Sequence, residues 1–431
     1  MEQRSICLIN DSFPPVTDGV ANAVVNYAKN LTQDGKRATV VTPAYPDADD
    51  TQFGFPVVRY PSVDLTKLVG YHAGLPFSSQ TLEKLVEQRF DLIHCHCPVT
   101  SAMLARALRD RIHVPLVFTY HTKFDIDIAN AIKGKLLQEE AKKVLVDNIT
   151  ACDEVWTVSH GAGENLKSLG YQGDYLVMPN GVDFAKGRVE ESIVREVTKD
   201  FDLPEDVPVF LFVGRMMWYK GLKIILDALA MLQTLGIKFR MVFVGNGADR
   251  DEVIAYAEKL GLHERVFFTA PAYDRNVIRA WYCRADLFLF PSTFDTNGLV
   301  VREAAACGLG SVLVRGSCAA EDIIDGESGF LIEENARSMA EMLTKLSKDR
   351  DLMARVGRTA QEEIYISWAD AVHKASQRYE IVLENFKAGK YPAHNRQSDE
   401  AFHAISSYLA AVARGQEKLK LRMEELSERF L

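Results

Sequence analysis

The tightest constraint on this chain is a pattern that occurs twice. Short apolar, β-branched runs alternate with amphipathic stretches in both halves of the sequence. In the first half the predicted strands are 5–10, 37–42, 91–95, 115–119, 154–158 and 175–178. In the second they are 208–214, 239–245, 265–269, 286–291 and 311–314. Between them lie helical patterns; Val20, Val24, Tyr27, Ala28 and Leu31 fall on one face at a period near 3.6. Buried runs separated by helices read as a parallel sheet covered on both sides. A chain of 431 residues exceeds what one core serves, so the repeat implies two domains. The stretch 180–202 is polar, carries the turn signal Asn180-Gly181 and is followed by Pro204, which places the hinge there. The expected architecture is α/β: two facing Rossmann-like, doubly wound domains with an interdomain cleft and a C-terminal helical extension. Residues 1–190 form the first domain, completed by a helix over 367–386, and 200–365 form the second. A heptad helix spans 396–431. Ligands of such sheets bind at the carboxyl ends of the strands.

Composition is that of an ordinary globular protein, 47% hydrophobic and 25% charged. A net charge of −9 argues against nucleic acid as a partner, because phosphate backbones demand clustered Lys and Arg. It leaves room for a small anionic ligand. No run of about 18 apolar residues is present, and the start lacks a signal-peptide pattern. Seven cysteines in apolar surroundings point to reduced thiols. These features predict a cytoplasmic location.

Three strand-to-helix loops of the second half share one side of its sheet. In Val213-Gly214-Arg215-Met216-Met217-Trp218-Tyr219-Lys220-Gly221, two cations and free helix amides suit a diphosphate; the alternative is ordinary surface charge. Val244-Gly245-Asn246-Gly247 lets a ligand or another backbone approach closely, or is a plain tight turn. In the third loop Asp295 precedes a helix starting near Gly298. The amides of Thr296, Asn297, Gly298 and Leu299 would point from that helix N-terminus toward an anion or sugar oxygens. Glu303 lies one turn further, amid Ala304-Ala305-Ala306. A carboxylate there is costly unless donors such as vicinal ribose hydroxyls compensate it; the bland alternative is a surface Glu.

In the first half, Gly19 opens a helix after strand one, where its loop either admits a phosphate or is simply capped by Thr17 or Asp18. His121, in Thr119-Tyr120-His121-Thr122 at a strand end, could donate to a sugar or a leaving phosphate, although a lone His is more often structural. His94-Cys95-His96-Cys97 resembles a metal cluster, but alternate strand residues point to opposite faces, so the four cannot converge. Asp125-Ile126-Asp127 lacks the context of a metal pair. No metal and no cofactor are expected.

Two Rossmann-like halves with Gly19, His121, Arg215, Lys220 and a carboxylate-x7-Glu segment resemble the retaining glycosyltransferases of family 4, which have the GT-B fold. The resemblance covers roughly residues 5–385 and includes Pro179-Asn180-Gly181-Val182-Asp183. It implies transfer of a hexose from a nucleotide-sugar, a UDP-sugar as the leading class, to a hydroxyl acceptor with anomeric retention and no required metal. By that resemblance Arg215 and Lys220 neutralise the donor diphosphate and Glu303 holds the ribose. Asp295 and the amides near Asn297 and Gly298 hold the sugar. His121 faces the reacting carbon, and Gly19 lets its loop close on the site. The chain departs from the family in having Asp295 where Glu is usual, and Tyr219 where an acidic residue is common.

The stretch 119–122 is similar to that of members acting on lipid acceptors, such as diacylglycerol glucosyltransferases. A lipid acceptor calls for peripheral contact with the inner membrane face, and Lys133-Gly134-Lys135 and Lys142-Lys143 with Ile126, Ile128 and Ile132 could supply a docking face. A solvated helix face explains them as well. The competing functions are a donor-binding partner subunit without turnover and a sugar-nucleotide epimerase; a phosphorylase would need a Schiff-base lysine. In the tail, Ile405, Leu409, Val412, Gln416, Leu419, Met423, Leu426 and Phe430 keep a 4-3 spacing. They predict either a homodimeric coiled coil or an amphipathic helix docked on the body.

Overall fold

A computed structural model of the chain describes residues 3–64, 66, 72–124, 128, 134–270 and 274–391. In chain order the strands are β1 (Ser5–Ile9), β2 (Arg37–Pro43), β3 (Val57–Tyr60), β4 (Ser62–Asp64), β5 (His72–Gly74), β6 (Leu92–Cys95), β7 (Leu116–Tyr120), β8 (Glu154–Thr157) and β9 (Leu176–Val177). They continue with β10 (Val209–Val213), β11 (Arg240–Val244), β12 (Val266–Phe268), β13 (Leu287–Phe290), β14 (Ser311–Val314) and β15 (Phe330–Ile332). The helices are α1 (Gly19–Gln33), α2 (Ser79–Glu87), α3 (Thr100–Ile112), α4 (Lys135–Thr150), α5 (His160–Ser168) and α6 (Glu191–Thr198). After them come α7 (Leu222–Thr234), α8 (Arg250–Lys259), α9 (Arg275–Arg284), α10 (Leu299–Ala306), α11 (Ala336–Leu346), α12 (Arg350–Glu363) and α13 (Trp368–Lys387).

The chain divides into two compact units. The first holds the described residues up to Val158, those of Ala162–Pro179 and those from Ala371 to Tyr391. Its sheet has the order β3-β2-β1-β6-β7-β8-β9, and every pair in it is parallel. Ile6, Cys7, Leu8 and Ile9 are fully buried, which is why β1 reads as a continuous apolar run rather than an alternating one. Asp18 caps α1, accepting from the amides of Val20 and Ala21 at 2.8 and 2.7 Å. Val24, Tyr27, Ala28 and Leu31 of that helix are buried, while Val20 stays partly exposed. In α13, Tyr379 reaches His94 Nδ1 at 2.6 Å and Arg378 pairs with Glu154, so a distant stretch of sequence completes this unit.

The second unit holds Ser159–Gly161 and Asn180–Asp370. Its sheet, β12-β11-β10-β13-β14-β15, is again wholly parallel. Both sheets reverse their strand order once, between β1 and β6 and between β10 and β13, the position at which doubly wound sheets open a crevice beyond the carboxyl ends.

The structure adds elements that the pattern did not show. β3 and β15 are edge strands of four and three residues, too short for a periodicity signal. The stretch 180–202, read as a hinge, contains α6, whose Val194 and Thr198 are buried; the intervening charges hide that short face. The heptad segment 396–431, Asp125 to Asp127 and Lys133 lie outside the described residues. No helix among the described residues is long and apolar enough to cross a membrane.

Candidate active site

The first two loops of interest leave the neighbouring strands β10 and β11 and are joined by their backbones. Gly214 N–H donates to Val244 O at 3.1 Å and Met216 N–H to Asn246 O at 2.9 Å. A Cβ at Gly245, whose φ is +140°, would stand 2.1 Å from Gly214 O, and one at Gly247 would stand 2.2 Å from Met216 O. Of the two partners expected for these glycines, ligand or backbone, the structure supplies a backbone. Arg215 projects from this paired loop; it is exposed and makes no ion pair with a described residue.

Lys220 closes the turn that follows and is 8% exposed. Its Nζ contacts both carboxylate oxygens of Asp295 at 2.7 Å. It also lies over the rings of Tyr219, Phe290 and Phe294 at 5.7–5.9 Å. Ser292 Oγ donates to Asp295 Oδ2 at 2.7 Å. An ammonium carries three donors, so two are spent on Asp295 and one remains for a ligand oxygen. The residues expected at the diphosphate and at the sugar are therefore joined. A cation held against three rings and a carboxylate is positioned with little freedom left to lose on binding.

Asp295 leads into α10 through Thr296, Asn297 and Gly298. Gly298 has a φ of +58°, and a Cβ there would lie 2.8 Å from that of Ala319, so only glycine turns the chain at this point. Thr296 O accepts from Ser159 Oγ. Asn297 Nδ2 is buried with no partner among the described residues. Leu299 opens the helix, where the first amides have no intrahelical acceptor. An orphan amide donor and a helix N-terminus thus stand side by side.

Glu303 sits one turn into α10 and is 8% exposed, which rules out the surface reading. Its Oε1 accepts from Arg275 Nη2 at 2.7 Å and its Oε2 from Tyr282 Oη at 3.1 Å. The expectation that a ligand must compensate this burial is corrected here: α9 supplies two donors itself. Burial still raises the carboxyl above its ordinary range, opposed by Arg275 and Tyr282. A carboxylate has about four acceptor directions, so Glu303 keeps about two beyond those that Arg275 and Tyr282 fill. Arg275 is fixed in turn by lying 4.3 Å over the Phe184 ring. Sequence reasoning missed Arg275, Tyr282, Ser292 and Phe184. The one available signal was the seven-residue spacing of Arg275 and Tyr282, which puts both on one helix face.

In the first unit, His121 follows β7 and is buried. Its Nε2 contacts His96 Nδ1 at 2.9 Å, and burial pushes its pKa down to about 3. It is a neutral imidazole already engaged by a neighbour, not the cationic donor that a leaving phosphate would favour. His94 and His96 share one face, their rings 4.0 Å apart. His94 also bonds Thr119 Oγ1 at 2.7 Å, and burial lowers the pKa of both. Among the described residues no three His, Cys, Asp or Glu side chains are grouped to hold a metal ion. A Cβ at Gly19 would meet nothing within 4 Å, so no packing demands glycine there, and Asp18 provides the cap.

One residue here had escaped the sequence reading. Asp11, at the carboxyl end of β1, is buried, and its Oδ1 accepts from Ser101 N, Ser101 Oγ and Thr100 Oγ1 at 2.8, 2.6 and 2.5 Å. Its Oδ2, Asn10 Oδ1 and His96 Nε2 are buried without partners among the described residues. All three lie at the ends of β1 and β6, where the strand order reverses.

Comparison with known proteins agrees with the fold. Residues 17–186 match the family model "Glycosyltransferase Family 4" and residues 194–363 match "Glycosyl transferases group 1". The chain belongs to the family 4 glycosyltransferases and has their GT-B fold. It is 23% identical to the alpha-monoglucosyldiacylglycerol synthase of Streptococcus pneumoniae, over 70% of this chain and 69% of that protein. It is 27% identical to the D-inositol 3-phosphate glycosyltransferase of Nocardia farcinica, over 73% and 72%. Among solved structures, a sucrose-phosphate synthase from Thermosynechococcus elongatus superposes with a TM-score of 0.70 at 21% identity, covering 89% of this chain and all of that one. Anabaena HepE, solved in complex with UDP, gives 0.69 at 19%, covering 87% and 99%.

Proposed function

We propose that this glycosyltransferase moves a hexose from a UDP-sugar to a hydroxyl of a membrane lipid, with retention of anomeric configuration. The observation that carries the donor half is Glu303: a buried carboxylate, pre-positioned by Arg275 and Tyr282, with acceptor capacity to spare for ribose hydroxyls. Lys220, Arg215 and the N-terminus of α10 meet the diphosphate. As the glycosidic bond breaks, the leaving diphosphate gains charge, and fixed cations and dipoles stabilise that transition state without reorganising. Asp295 and Asn297 hold the sugar; pairing with Lys220 links the sugar end to the phosphate end. Charge neutralisation falls to these side chains, so the reaction needs no metal in this proposal.

The acceptor hydroxyl is assigned to the first unit, at the crevice where Asp11, Asn10 and His96 present partnerless buried atoms. Neutral His121 orients groups there and does not act as an acid. A lipid acceptor is favoured by the likeness to a monoglucosyldiacylglycerol synthase and by α4. That helix exposes Leu136 and Leu137 at 76% and 62%, beside Lys135, Lys142 and Lys143. Apolar side chains flanked by lysines suit an anionic bilayer surface. Titration of the full chain with UDP and GDP tests the donor assignment; no binding of either at millimolar concentration overturns it.

A further inference from the structure

The second unit has a groove of about 1250 Å³ at the amino-terminal ends of β10, β13 and β14, the end of the sheet opposite the loops of Lys220 and Asp295. Six cationic side chains and three carboxylates line it, in a protein whose net charge is −9. Lys199 is paired at 2.6 Å with Glu196, which lies outside the groove, and Arg350 at 2.6 Å with Asp286, which lies inside it. Four arginines remain, Arg188, Arg195, Arg284 and Arg358, against two glutamates, Glu191 and Glu205. None of these six is ion-paired with a described residue. The groove therefore holds a surplus of positive charge that the protein itself does not neutralise.

Two of the arginines also brace the fold. Arg188 donates to Cys283 O at the end of α9, and Arg284 donates to Leu203 O at 2.6 Å. A carbonyl accepts the hydrogen bond without cancelling the charge, and a guanidinium has five N–H donors, so both keep capacity for an anion. Burial lowers Arg284 below its ordinary value; Asp286 opposes that shift and Arg350 adds to it. Arg195 and Arg358 have no such bracing role. They are exposed and come from two different helices, α6 and α12; the contact of Arg195 is to Glu191 O of its own helix at 3.5 Å. The lining is not only charged. Phe201, Leu203 and Met353 belong to it, and Phe201 is held edge-on against Trp281 with ring centroids 5.1 Å apart.

We propose that this groove is a binding site for a small organic phosphate, with the phosphate on the arginines and the carbon skeleton against Phe201, Leu203 and Met353. A phosphate monoester carries about two negative charges at neutral pH, which balances the four arginines against the two glutamates. Guanidinium forks meet phosphate oxygens in pairs, as an ammonium cannot, and five of the six cations of the groove are arginines. The volume exceeds the roughly 300–1,000 Å³ of most small-molecule sites, so an inorganic ion leaves most of it unfilled. The apolar lining gives the rest of such a ligand a surface to cover. Glu303 and Lys220 take no part, so the site is independent of the donor assignment.

Isothermal titration of the full chain with phenyl phosphate, inorganic phosphate and benzyl alcohol tests the site, with Lys220→Met, Arg195→Glu and Arg358→Glu alongside. Phenyl phosphate should bind the native chain and Lys220→Met with equal affinity. Inorganic phosphate should bind more weakly, and benzyl alcohol should not bind. Each charge reversal should weaken phenyl phosphate by about tenfold or more. Arg195 and Arg358 are exposed, so both reversed chains should unfold at the native temperature in thermal scans, which separates lost binding from lost fold. No binding of phenyl phosphate at millimolar concentration overturns the site, as does an unchanged affinity in either reversal. Loss of binding in Lys220→Met places the phosphate at the loops of the opposite end and refutes the groove. Equal affinity for inorganic and phenyl phosphate removes the apolar contacts and overturns the organic class of ligand.

Discussion

Replacing Glu303 by alanine separates a nucleotide-binding role from a structural one. In the native chain Glu303 accepts from Arg275 and Tyr282, and the proposed function assigns its two remaining acceptor directions to ribose. Hydrogen bonds to a charged group contribute about 1.5–3 kcal/mol each. Losing two to ribose therefore costs at least about 3 kcal/mol, which is roughly a hundredfold in Kd. The folding effect is smaller. Arg275 can turn to water, since its side chain is 45% exposed, but the Tyr282 hydroxyl is fully buried and loses its acceptor, costing about 1–3 kcal/mol. Isothermal titration with UDP and a thermal unfolding scan of both proteins measure the two effects. A lowered unfolding temperature with unchanged UDP affinity refutes the ribose assignment. Acidification supplies a second signature. The carboxyl of Glu303 is raised above its ordinary value, so its ionised form is lost at a higher pH than for a free Glu. UDP affinity of the native chain should weaken as pH falls toward that range, and the alanine variant should lack this dependence.

Lys220→Met should weaken UDP binding by at least about tenfold, with Asp295 left uncompensated; Asp295→Asn should spare UDP affinity and reduce sugar transfer, read as kcat. Gly245→Ala places a Cβ against Gly214 O and should cost about 1–3 kcal/mol by chemical denaturation, since neither backbone can yield. His94, His96 and His121 have folded pKa values below the ordinary one of about 6.5. The unfolded chain then binds more protons, so stability is present above about pH 6.5 and falls as pH drops toward 3; His121→Gln should flatten that slope in thermal scans. Leu136→Asp with Leu137→Asp should reduce cosedimentation with anionic vesicles and leave UDP binding intact.

The alternation of buried runs and amphipathic stretches was sufficient to locate both sheets, because strands covered on two faces must be apolar throughout. It could not reveal β15 or α6, whose three to eight residues carry too little periodicity. The candidate loops of the second unit stand out for a related reason: a cation or carboxylate at a strand end is conspicuous against apolar flanks. Their mutual arrangement was not. Nothing in the sequence pairs Lys220 with Asp295, seventy-five positions away, or brings Arg275 and Tyr282 to Glu303. Those contacts depend on neighbouring strands and helices whose order is set only in three dimensions. The same limit hid Asp11, an acid among uncharged neighbours whose significance lies in the donors that surround one oxygen and miss the other.

The donor assignment and the stereochemistry meet in one measurement: incubation of the full chain with UDP-α-hexoses and a diacylglycerol acceptor, followed by proton NMR of the product's anomeric signal. The expected outcome is UDP release together with an α-linked glycolipid, both strongly reduced in the Glu303→Ala variant at donor concentrations that saturate only the native chain. A β-linked product would contradict retention. Failure to bind UDP or to release it from any UDP-sugar would contradict the assignment of Glu303 and Lys220 to the donor.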